Sequence, residues 1–322
     1  MRTNYFALAS CLALACSVGP FAGEGGGADN LPSLGAGPYR LLPADFDTSA
    51  DEPYVVAKPI VSLLDPAVIA TDNGAFEIYF AQIDDVQSEI WRVELASIYE
   101  LLQDTPEQVL VADSAWEEGQ VGAPCVVVDG DTTILYYQGG SDTPAIGRAV
   151  STDGGRSFTK DPGNPIVSQG RDPYVSRHGE QWFMVYADLA EQKILMRESS
   201  EGQDFSEARE LITARSGQEE AFDSQGLRSP ALSVRDTLDG GMHFGLFYTG
   251  LSLNLDGELV EAIGYQGSFD TEHWERYLAG EPILDAGPAG AGGPAPVIGT
   301  SSAHLFFHQR RQSRGRIAVA VP

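Results

Sequence analysis

The sequence predicts an all-β fold, a five-bladed β-propeller whose ring is closed by an N-terminal strand that completes the last blade. Three observations support this prediction. A short pattern built around a proline recurs five times along the 322 residues. The chain contains 36 glycines and 19 prolines, as many turns between short strands require. The last repeat lacks a fourth strand, and a matching segment precedes the first repeat. A β-sandwich with coincidental spacing is the alternative.

Each repeat begins at a residue, here termed the anchor, that is followed by proline and then by alternating apolar residues. The five anchors are Asp65, Ala123, Asp172, Ser229 and Gly293. Their period of roughly 50–60 residues is typical of repeat architectures built from one supersecondary unit. The alternation after each proline indicates a half-buried inner strand.

Further strands are expected after each anchor. The predicted second strands, rich in aromatic residues, cover 76–81, 134–138, 182–187, 244–249 and 305–308. The predicted third strands cover 89–95, 145–151, 193–199, 261–267 and 316–321. Fourth strands are expected only in the first four repeats, at 109–112, 165–167, 210–213 and 282–284. The sequence Lys-Pro-Ile-Val at 58–61 is similar to Asn-Pro-Ile-Val at 164–167, so 58–61 is expected to complete the last blade. Closure of this kind removes exposed strand edges.

The first 16 residues resemble a bacterial lipoprotein signal peptide. Arg2 gives a positive start, and residues 5–15 form an apolar run of signal length. Small residues precede Cys16, as in a lipobox whose cysteine is acylated. Cys11 also matches the lipobox but leaves a shorter apolar run, and a secretory signal without lipidation is a further alternative. We therefore expect an exported lipoprotein of the outer membrane or cell surface, with a flexible tether at 17–53 and the propeller at 54–322.

The net charge and the number of cysteines exclude some classes of partner and of covalent cross-link. A net charge of −26 argues against a nucleic-acid partner, which requires a basic surface, and gives solubility. Cys125 is left alone in the folded body, so no internal disulfide is expected there, and its apolar neighbours suggest a small buried side chain. No cofactor is predicted, and a calcium ion in the channel is left open. We expect a monomer.

The candidate site follows from the repeat. Because the innermost strands of a propeller line its central channel, the five anchors are expected to meet at one funnel. Two of them, Asp65 and Asp172, are carboxylates. Glycoside hydrolysis uses converging carboxyl groups, one as base or nucleophile and another as the acid that protonates the leaving oxygen.

The order of these residues resembles the five-bladed propeller glycosidases of glycoside hydrolase families 43 and 32. The triplet Arg171-Asp172-Pro173 is also similar to the Arg-Asp-Pro triplet of the fructosidase branch. The resemblance extends over almost the whole mature chain. It implies that Asp65 is the base or nucleophile and that Asp172 stabilises the transition state and tunes the acid. It also implies an acid glutamate two residues before the fourth proline, where this chain has Arg228.

Arginine does not release a proton at neutral pH, and general acid–base assistance contributes roughly 10²–10⁴ in rate. Among loop carboxylates, Glu118 is the preferred replacement acid, and Glu219 and Glu220 are further candidates. The alternative for each is a solvated surface charge.

Other side chains are candidates for ligand binding. Arg171 and Arg228 are suited to clamp a carboxylate or phosphate, as in a uronic-acid-containing glycan. The segment 290–296 also has a weaker resemblance to the mannoside phosphorylases of family 130, which use phosphate as nucleophile. Ser229 and His308 are expected at the funnel, and Trp116 is a candidate platform for sugar stacking. The alternative for His308 and Trp116 is packing within the propeller.

Three functions remain open at this stage. The first is a surface glycoside hydrolase acting on arabinan-, xylan- or fructan-like material. The second is a catalytically degenerate propeller that binds a glycan or a partner. The third is a purely structural lipoprotein. A carboxylate able to act as acid near Asp65 favours the enzyme, and an Arg228 paired to Asp172 favours binding.

Overall fold

Strands account for nearly all of the regular structure in the computed structural model. It describes residues 40–41, 62–71, 74–84, 87–97, 100–101, 106–285, 287, 290–298, 303–311 and 314–321. Within these ranges the strands form five antiparallel sheets, and each sheet is one blade. The chain is therefore a five-bladed β-propeller, as its repeats predict.

The first four blades are built from consecutive strands. Blade 1 contains β2 (Ser62–Ala70), β3 (Phe76–Ile83) and β4 (Ser88–Ser97), with β5 (Glu100–Leu101) and β6 (Glu107–Leu110) both paired to β4. Blade 2 contains β7 (Val121–Asp129), β8 (Thr132–Gly139), β9 (Ala145–Ser151) and β10 (Thr159–Lys160). Blade 3 contains β11 (Arg171–His178), β12 (Gln181–Ala187), β13 (Lys193–Ser199) and β14 (Arg209–Thr213). Blade 4 contains β15 (Gly226–Asp236), β16 (Met242–Leu253), β17 (Leu259–Ser268) and β18 (Glu275–Arg276).

The fifth blade closes the ring with a strand from the N-terminal side. It contains β19 (Gly292–Ile298), β20 (Ala303–Arg311), β21 (Arg314–Val321) and, at its outer edge, β1 (Arg40–Leu41). Arg40 pairs with Val321, and Leu41 pairs with Ala320. The predicted closure is confirmed, although β1 lies inside the range expected to be a tether. The segment 58–61, expected to perform this closure, lies outside the described residues, as do Cys16 and the expected signal peptide.

Two predicted fourth strands are wrong. The outer strands of blades 2 and 4 are β10 and β18, whereas 165–167 and 282–284 form only single bridges to the third strands, at Val167 with Ile146 and at Leu284 with Ile263. Proline has no backbone N–H and interrupts a strand ladder, so Pro165 and Pro282 limit these segments to one bridge each.

The turn that precedes β10 is built around Asp153. The Asp153 carboxylate accepts hydrogen bonds from the backbone N–H groups of Arg156 and Ser157, at 3.0 and 3.1 Å. Phe158 then packs edge-on against Tyr79 of blade 1. The turn is therefore structural, and it joins blades 1 and 2.

The hydrophobic core is divided among the junctions between neighbouring blades. Five clusters of buried side chains lie one at each junction, including the junction between the last blade and the first. At the junction of blades 3 and 4, for example, Phe183 meets Phe244 edge-on with ring centroids 5.5 Å apart. Cys125 is buried at the junction of blades 2 and 3, where its Sγ accepts a hydrogen bond from the backbone N–H of Val175. Across the described ranges, no helix combines the length and the apolar character needed to cross a bilayer.

Candidate functional site

The five anchors adopt the same backbone conformation and meet around the central axis. Every inner strand has a bulge at its anchor, and the five anchor φ angles lie between 43° and 60°. Positive φ is uncommon for residues other than glycine and is often found at functional sites. At the bulge the anchor no longer follows the alternation of side chains between the two faces of the strand. The sequence predicts the convergence correctly because every anchor occupies the same place in its repeat.

The second strand of the preceding blade supports three of the anchors. His308 Nδ1 lies 3.2 Å from the backbone nitrogen of Asp65 and accepts its N–H when the imidazole is neutral with its proton on Nε2. Gln138 Oε1 accepts from the N–H of Asp172 at 3.2 Å, and Thr249 Oγ1 accepts from that of Gly293 at 3.0 Å. These side chains satisfy backbone groups that the bulges take out of the strand ladder.

The channel is narrow directly below the anchors. Five prolines, one after each anchor, surround a gap of about 20 Å³ together with Tyr174. Tyr174 packs against three of the five hydrophobic clusters. The gap at this constriction is too small to hold a sugar residue.

Above the anchors lies a cleft of about 240 Å³. Its charged lining consists of three acidic and three basic side chains, namely Asp65, Asp172, Glu261, Arg228, His308 and Arg310. Neutral polar groups, including those of Gln138 and Ser229, complete the polar part of the wall. This cleft is the candidate site.

Asp65 presents an accessible carboxylate to the cleft, with 22% of its side chain exposed. Its Oδ1 lies 3.4 Å from Nδ1 of His308. Burial by itself would raise the pKa of Asp65, but the hydrogen bond and charge of His308, together with the charge of Arg228, bring it below its ordinary value. Asp65 is therefore ionised at neutral pH, as a base or nucleophile must be.

Asp172 is enclosed by donors, and only 4% of its side chain is exposed. Its Oδ2 accepts hydrogen bonds from Arg228 Nε at 3.3 Å, from the backbone N–H of Ser229 at 3.0 Å and from Ser229 Oγ at 3.4 Å. Arg228 also lies 3.6 Å from Glu191. Asp172 raises the pKa of Arg228, as does Glu191, so Arg228 is a permanent cation in this pair.

Glu261 is a third cleft carboxylate that the sequence argument did not identify. Its Oε2 accepts hydrogen bonds from His308 Nε2 at 3.1 Å and lies 3.4 Å from Arg310 Nε. Burial opposes ionisation of Glu261, yet His308, Arg310 and Arg228 outweigh it and lower the pKa to about 2. The predicted third strand at 261–267 begins at Glu261. In an antiparallel blade the third strand runs in the same direction as the inner strand, so its first residue lies on the same face of the ring as the anchor.

His308 lies between two carboxylates and is almost fully buried, with 3% of its side chain exposed. Burial would lower its pKa, but Asp65 and Glu261 raise the pKa to about 9. The imidazolium is thus the main form at neutral pH, and its two nitrogens face Asp65 and Glu261. The structure places His308 in the cleft wall, as expected.

Three other predicted residues do not line the cleft. The Glu118 carboxylate is exposed and accepts hydrogen bonds from the backbone N–H groups of Ser141 and Asp142, each at 2.9 Å. Trp116 packs against Tyr137 of blade 2, with ring centroids 5.8 Å apart. Arg171 Nη1 lies 3.6 Å from the Glu191 carboxylate and does not line the cleft. Glu118 therefore stabilises a loop, and Trp116 belongs to the packing of its blade.

The other replacement acids also lie elsewhere. Glu219 and Glu220 line a separate surface groove beside Phe222. Across the described residues there is no group of three His, Cys, Asp or Glu side chains placed to hold a metal ion.

Comparison with known proteins identifies the fold. No family model matches the sequence, and no curated protein is similar to it. Among solved structures, the chain is similar to the fructofuranosidase from Schwanniomyces occidentalis complexed with fructosylnystose, with a TM-score of 0.64 and 15% identity over 87% of this chain and 60% of that one. It is also similar to the α-L-arabinofuranosidases from Lactobacillus brevis (TM-score 0.63, 15% identity, 84% of this chain and 93% of that one) and Podospora anserina (0.62, 13%, 84% and 94%).

The chain spans 60% of the length of the fructofuranosidase but nearly the full length of the two arabinofuranosidases. At this level of identity the likeness shows the fold. The chain is a five-bladed β-propeller whose structural neighbours are fructofuranosidases and arabinofuranosidases.

Proposed function

We propose that the chain is a carbohydrate-binding propeller of the glycoside hydrolase type, whose cleft holds the terminal furanosyl residue of a neutral oligo- or polysaccharide. The observation that carries this proposal is the pairing of Arg228 with Asp172, at the place where a hydrolase of this type is expected to have its acid. The furanosyl ring is proposed because the neighbouring structures are furanosidases, one of them complexed with fructosylnystose.

The charge balance of the cleft supports a neutral ligand. Three carboxylates face two guanidinium groups and an imidazole whose pKa is raised to about 9. At neutral pH the charged lining therefore has no net charge. Arg228 and Arg310 each face a carboxylate already, so neither is a free clamp for an anionic sugar or for phosphate. Carboxylates and guanidinium groups of this kind bind sugar hydroxyls by charge-assisted hydrogen bonds.

The shape of the cleft supports binding of a chain end. Tyr174 and the anchor prolines narrow the channel below the anchors to a gap of about 20 Å³, which is too small for a sugar residue. A cleft of about 240 Å³ accommodates a terminal residue, with the rest of the glycan outside. The proposed ligand is therefore bound by its end.

Protonation of the leaving oxygen has no carboxylic acid donor in this cleft. The pKa of Glu261 is lowered to about 2, so this carboxyl is ionised. Asp172 accepts three hydrogen bonds on a single oxygen and is paired to a cation. Since such assistance contributes roughly 10²–10⁴ in rate, binding without efficient turnover is the better proposal.

Hydrolysis is the second candidate, and one observation favours it. Asp65 is accessible and ionised, and it stands on the anchor of the first blade, where the resemblance to families 43 and 32 implies a base or nucleophile. In this case the chain is a glycoside hydrolase with an unusual proton donor. Water is then the acceptor of the furanosyl group, and the freed sugar is the measurable product.

We further propose that the protein is exported and held at the cell surface by lipid on Cys16. The lipobox-like sequence before Cys16 supports this proposal. The mass of the N-terminal peptide of the mature protein tests it. A diacylglyceryl or triacyl modification on Cys16 is expected, and an unmodified N-terminus at another residue contradicts it.

The function is tested by titrating the purified protein with neutral fructo-, arabino- and xylo-oligosaccharides, with a uronic-acid-containing oligosaccharide for comparison. Isothermal titration calorimetry measures binding, and chromatography of the same samples measures sugar release. We expect saturable binding of a furanosyl oligosaccharide, little release, and loss of binding in Asp65→Asn. Release that Asp65→Asn abolishes instead establishes the hydrolase, and preference for the uronic acid contradicts the neutral ligand.

A further inference from the structure

The fifth anchor has no side chain, and the imidazole of His308 occupies the space that such a side chain would fill. A Cβ atom added to Gly293 would lie 2.7 Å from His308 Nδ1 and 3.0 Å from Asp65 Oδ1. A Cβ atom on the preceding Gly292 would lie 2.6 Å from His308 Nε2 and 2.9 Å from Glu261 Oε2. Both positions therefore require glycine for the ring to reach the two carboxylates.

His308 connects three separate blades at the cleft. It extends from β20 in blade 5, its Nδ1 faces Asp65 in blade 1, and its Nε2 donates to Glu261 in blade 4. Arg310, two residues further along β20, contacts the same Oε2 of Glu261 at 3.4 Å. A polar side chain that is almost fully buried and engaged at both nitrogens is held in one position.

The geometry gives His308 two distinct contacts with Asp65. When only Nε2 carries a proton, Nδ1 accepts the backbone N–H of Asp65 at 3.2 Å. When both nitrogens carry protons, Nδ1 faces the Asp65 carboxylate at 3.4 Å. The ring thus contacts the backbone and the carboxylate of one residue, and it restrains both.

The charges facing this group come from four strands. Asp65 on β2 and Glu261 on β17 favour the charged form of His308, whereas Arg228 on β15 and Arg310 on β20 act on the two carboxylates. These two carboxylates face three cations, His308, Arg228 and Arg310, and Arg228 is also paired with Asp172. The group therefore forms one electrostatic unit across the cleft wall.

We propose that His308 is a positioning residue that fixes the orientation and the ionised state of Asp65, and that Glu261 acts on Asp65 through this imidazole. The proposal rests on the proposed function only in taking Asp65 as the carboxylate that faces the sugar. It assigns Glu261 a role at a distance, since one imidazole ring separates it from Asp65. Removing the Glu261 charge should therefore change how His308 titrates.

The experiment follows the imidazole signals of the histidine-labelled protein by NMR from about pH 5 to about pH 10. His308→Gln identifies the His308 signal among the five histidines. We expect a midpoint near 9 in the wild type. Glu261→Gln should lower this midpoint by roughly 1–3 pH units, the usual effect of losing one opposite charge in contact. Glu258→Gln, an exposed charge on the same hairpin, is the matched control and should leave it unchanged.

A second variant allows the test to be carried out even if Glu261→Gln does not fold. Asp65→Asn removes the other carboxylate and must also lower the His308 midpoint. An ordinary midpoint near 6.5 in the wild type, or the same midpoint in the wild type and in both variants, overturns the proposal. These titrations require no ligand, so they remain decisive even if no glycan binds and the proposed function fails.

Glycan affinity measured against pH supplies the second readout. In the wild type the affinity should stay level up to about pH 9 and then fall, and in Glu261→Gln the fall should begin at lower pH. A purely structural role for Glu261 would weaken binding equally at every pH and leave the His308 midpoint in place, which also overturns the proposal.

Discussion

Asp65 and Asp172 occupy equivalent positions in the first and third blades, and their surroundings differ. Both have a φ of 51° at an inner-strand bulge. Asp65 faces a buried imidazole and keeps 22% of its side chain exposed, whereas Asp172 faces a guanidinium and two donors of Ser229 and keeps 4% exposed. The same backbone therefore presents one carboxylate to the open cleft and encloses the other in the cleft wall.

The difference arises at the neighbouring anchors. In the blade after Asp172, the anchor region supplies Arg228 and Ser229, which enclose the carboxylate. In the blade before Asp65, the anchor is Gly293, and the space without a side chain admits His308 from the second strand. A repeated fold thus gives equivalent aspartates different roles through the residues of adjacent blades.

The largest expected effect comes from replacing Arg228. In Arg228→Glu the new carboxyl lies near Asp172 and Glu191, and like charges raise the pKa of such a group, so it carries a proton. If Asp65 is placed as a base, hydrolysis of fructo- or arabinofuranosides should rise by roughly 10²–10⁴ over the Arg228→Gln variant. Arg228→Gln loses the same ion pairs without gaining an acid and is the matched control.

Chromatography of the released monosaccharide measures this rise, and thermal unfolding confirms that both variants are folded. Equal release from the two variants would show that Asp65 is not placed for catalysis. The difference between Asp65 and Asp172 would then affect ligand binding and not catalysis.

The second prediction compares the two aspartates directly. Asparagine tolerates positive φ, so Asp65→Asn and Asp172→Asn remove charge with little backbone cost. Asp65→Asn should weaken glycan binding by roughly 10- to 100-fold, and Asp172→Asn should lower the free energy of unfolding by about 1.5–3 kcal/mol, the range for hydrogen bonds to charged groups. Calorimetric titration and denaturant unfolding of both variants check this division. A loss of stability in Asp65→Asn as large as in Asp172→Asn would contradict it.

The smallest expected effect is a dependence of stability on pH. The raised pKa of His308 contributes stability that is complete below its ordinary value of 6.5 and is lost as the pH rises through about 9. The lowered pKa of Glu261 contributes stability that is present above its ordinary value of 4.5 and is lost as the pH falls towards about 2. The free energy of unfolding should therefore decline from neutral pH to about pH 10, and this decline should be smaller in His308→Gln. If the free energy of unfolding changed equally with pH in the wild type and in His308→Gln, the electrostatic coupling of His308 to Asp65 would be contradicted.

The sequence predicts the parts of the fold that depend on repetition. The anchors recur at the same point of each unit, so their meeting at one funnel follows from the ring, and with it the convergence of Asp65 and Asp172. The closing strand is also predictable in kind, because an unpaired edge in the last blade requires one. The position of the closing strand in the sequence is harder to predict, because a strand of two residues, Arg40 and Leu41, has no recognisable pattern.

The sequence alone determined the five-bladed ring, its anchor prolines and the replacement of the expected acid by Arg228, because these depend on local pattern and residue identity. Only the tertiary structure decided that Glu261 enters the cleft, that His308 joins it to Asp65, and that Glu118 is used by its own loop. Side chains from the second and third strands reach the cleft or turn away according to contacts between blades, and those contacts join residues far apart in the chain.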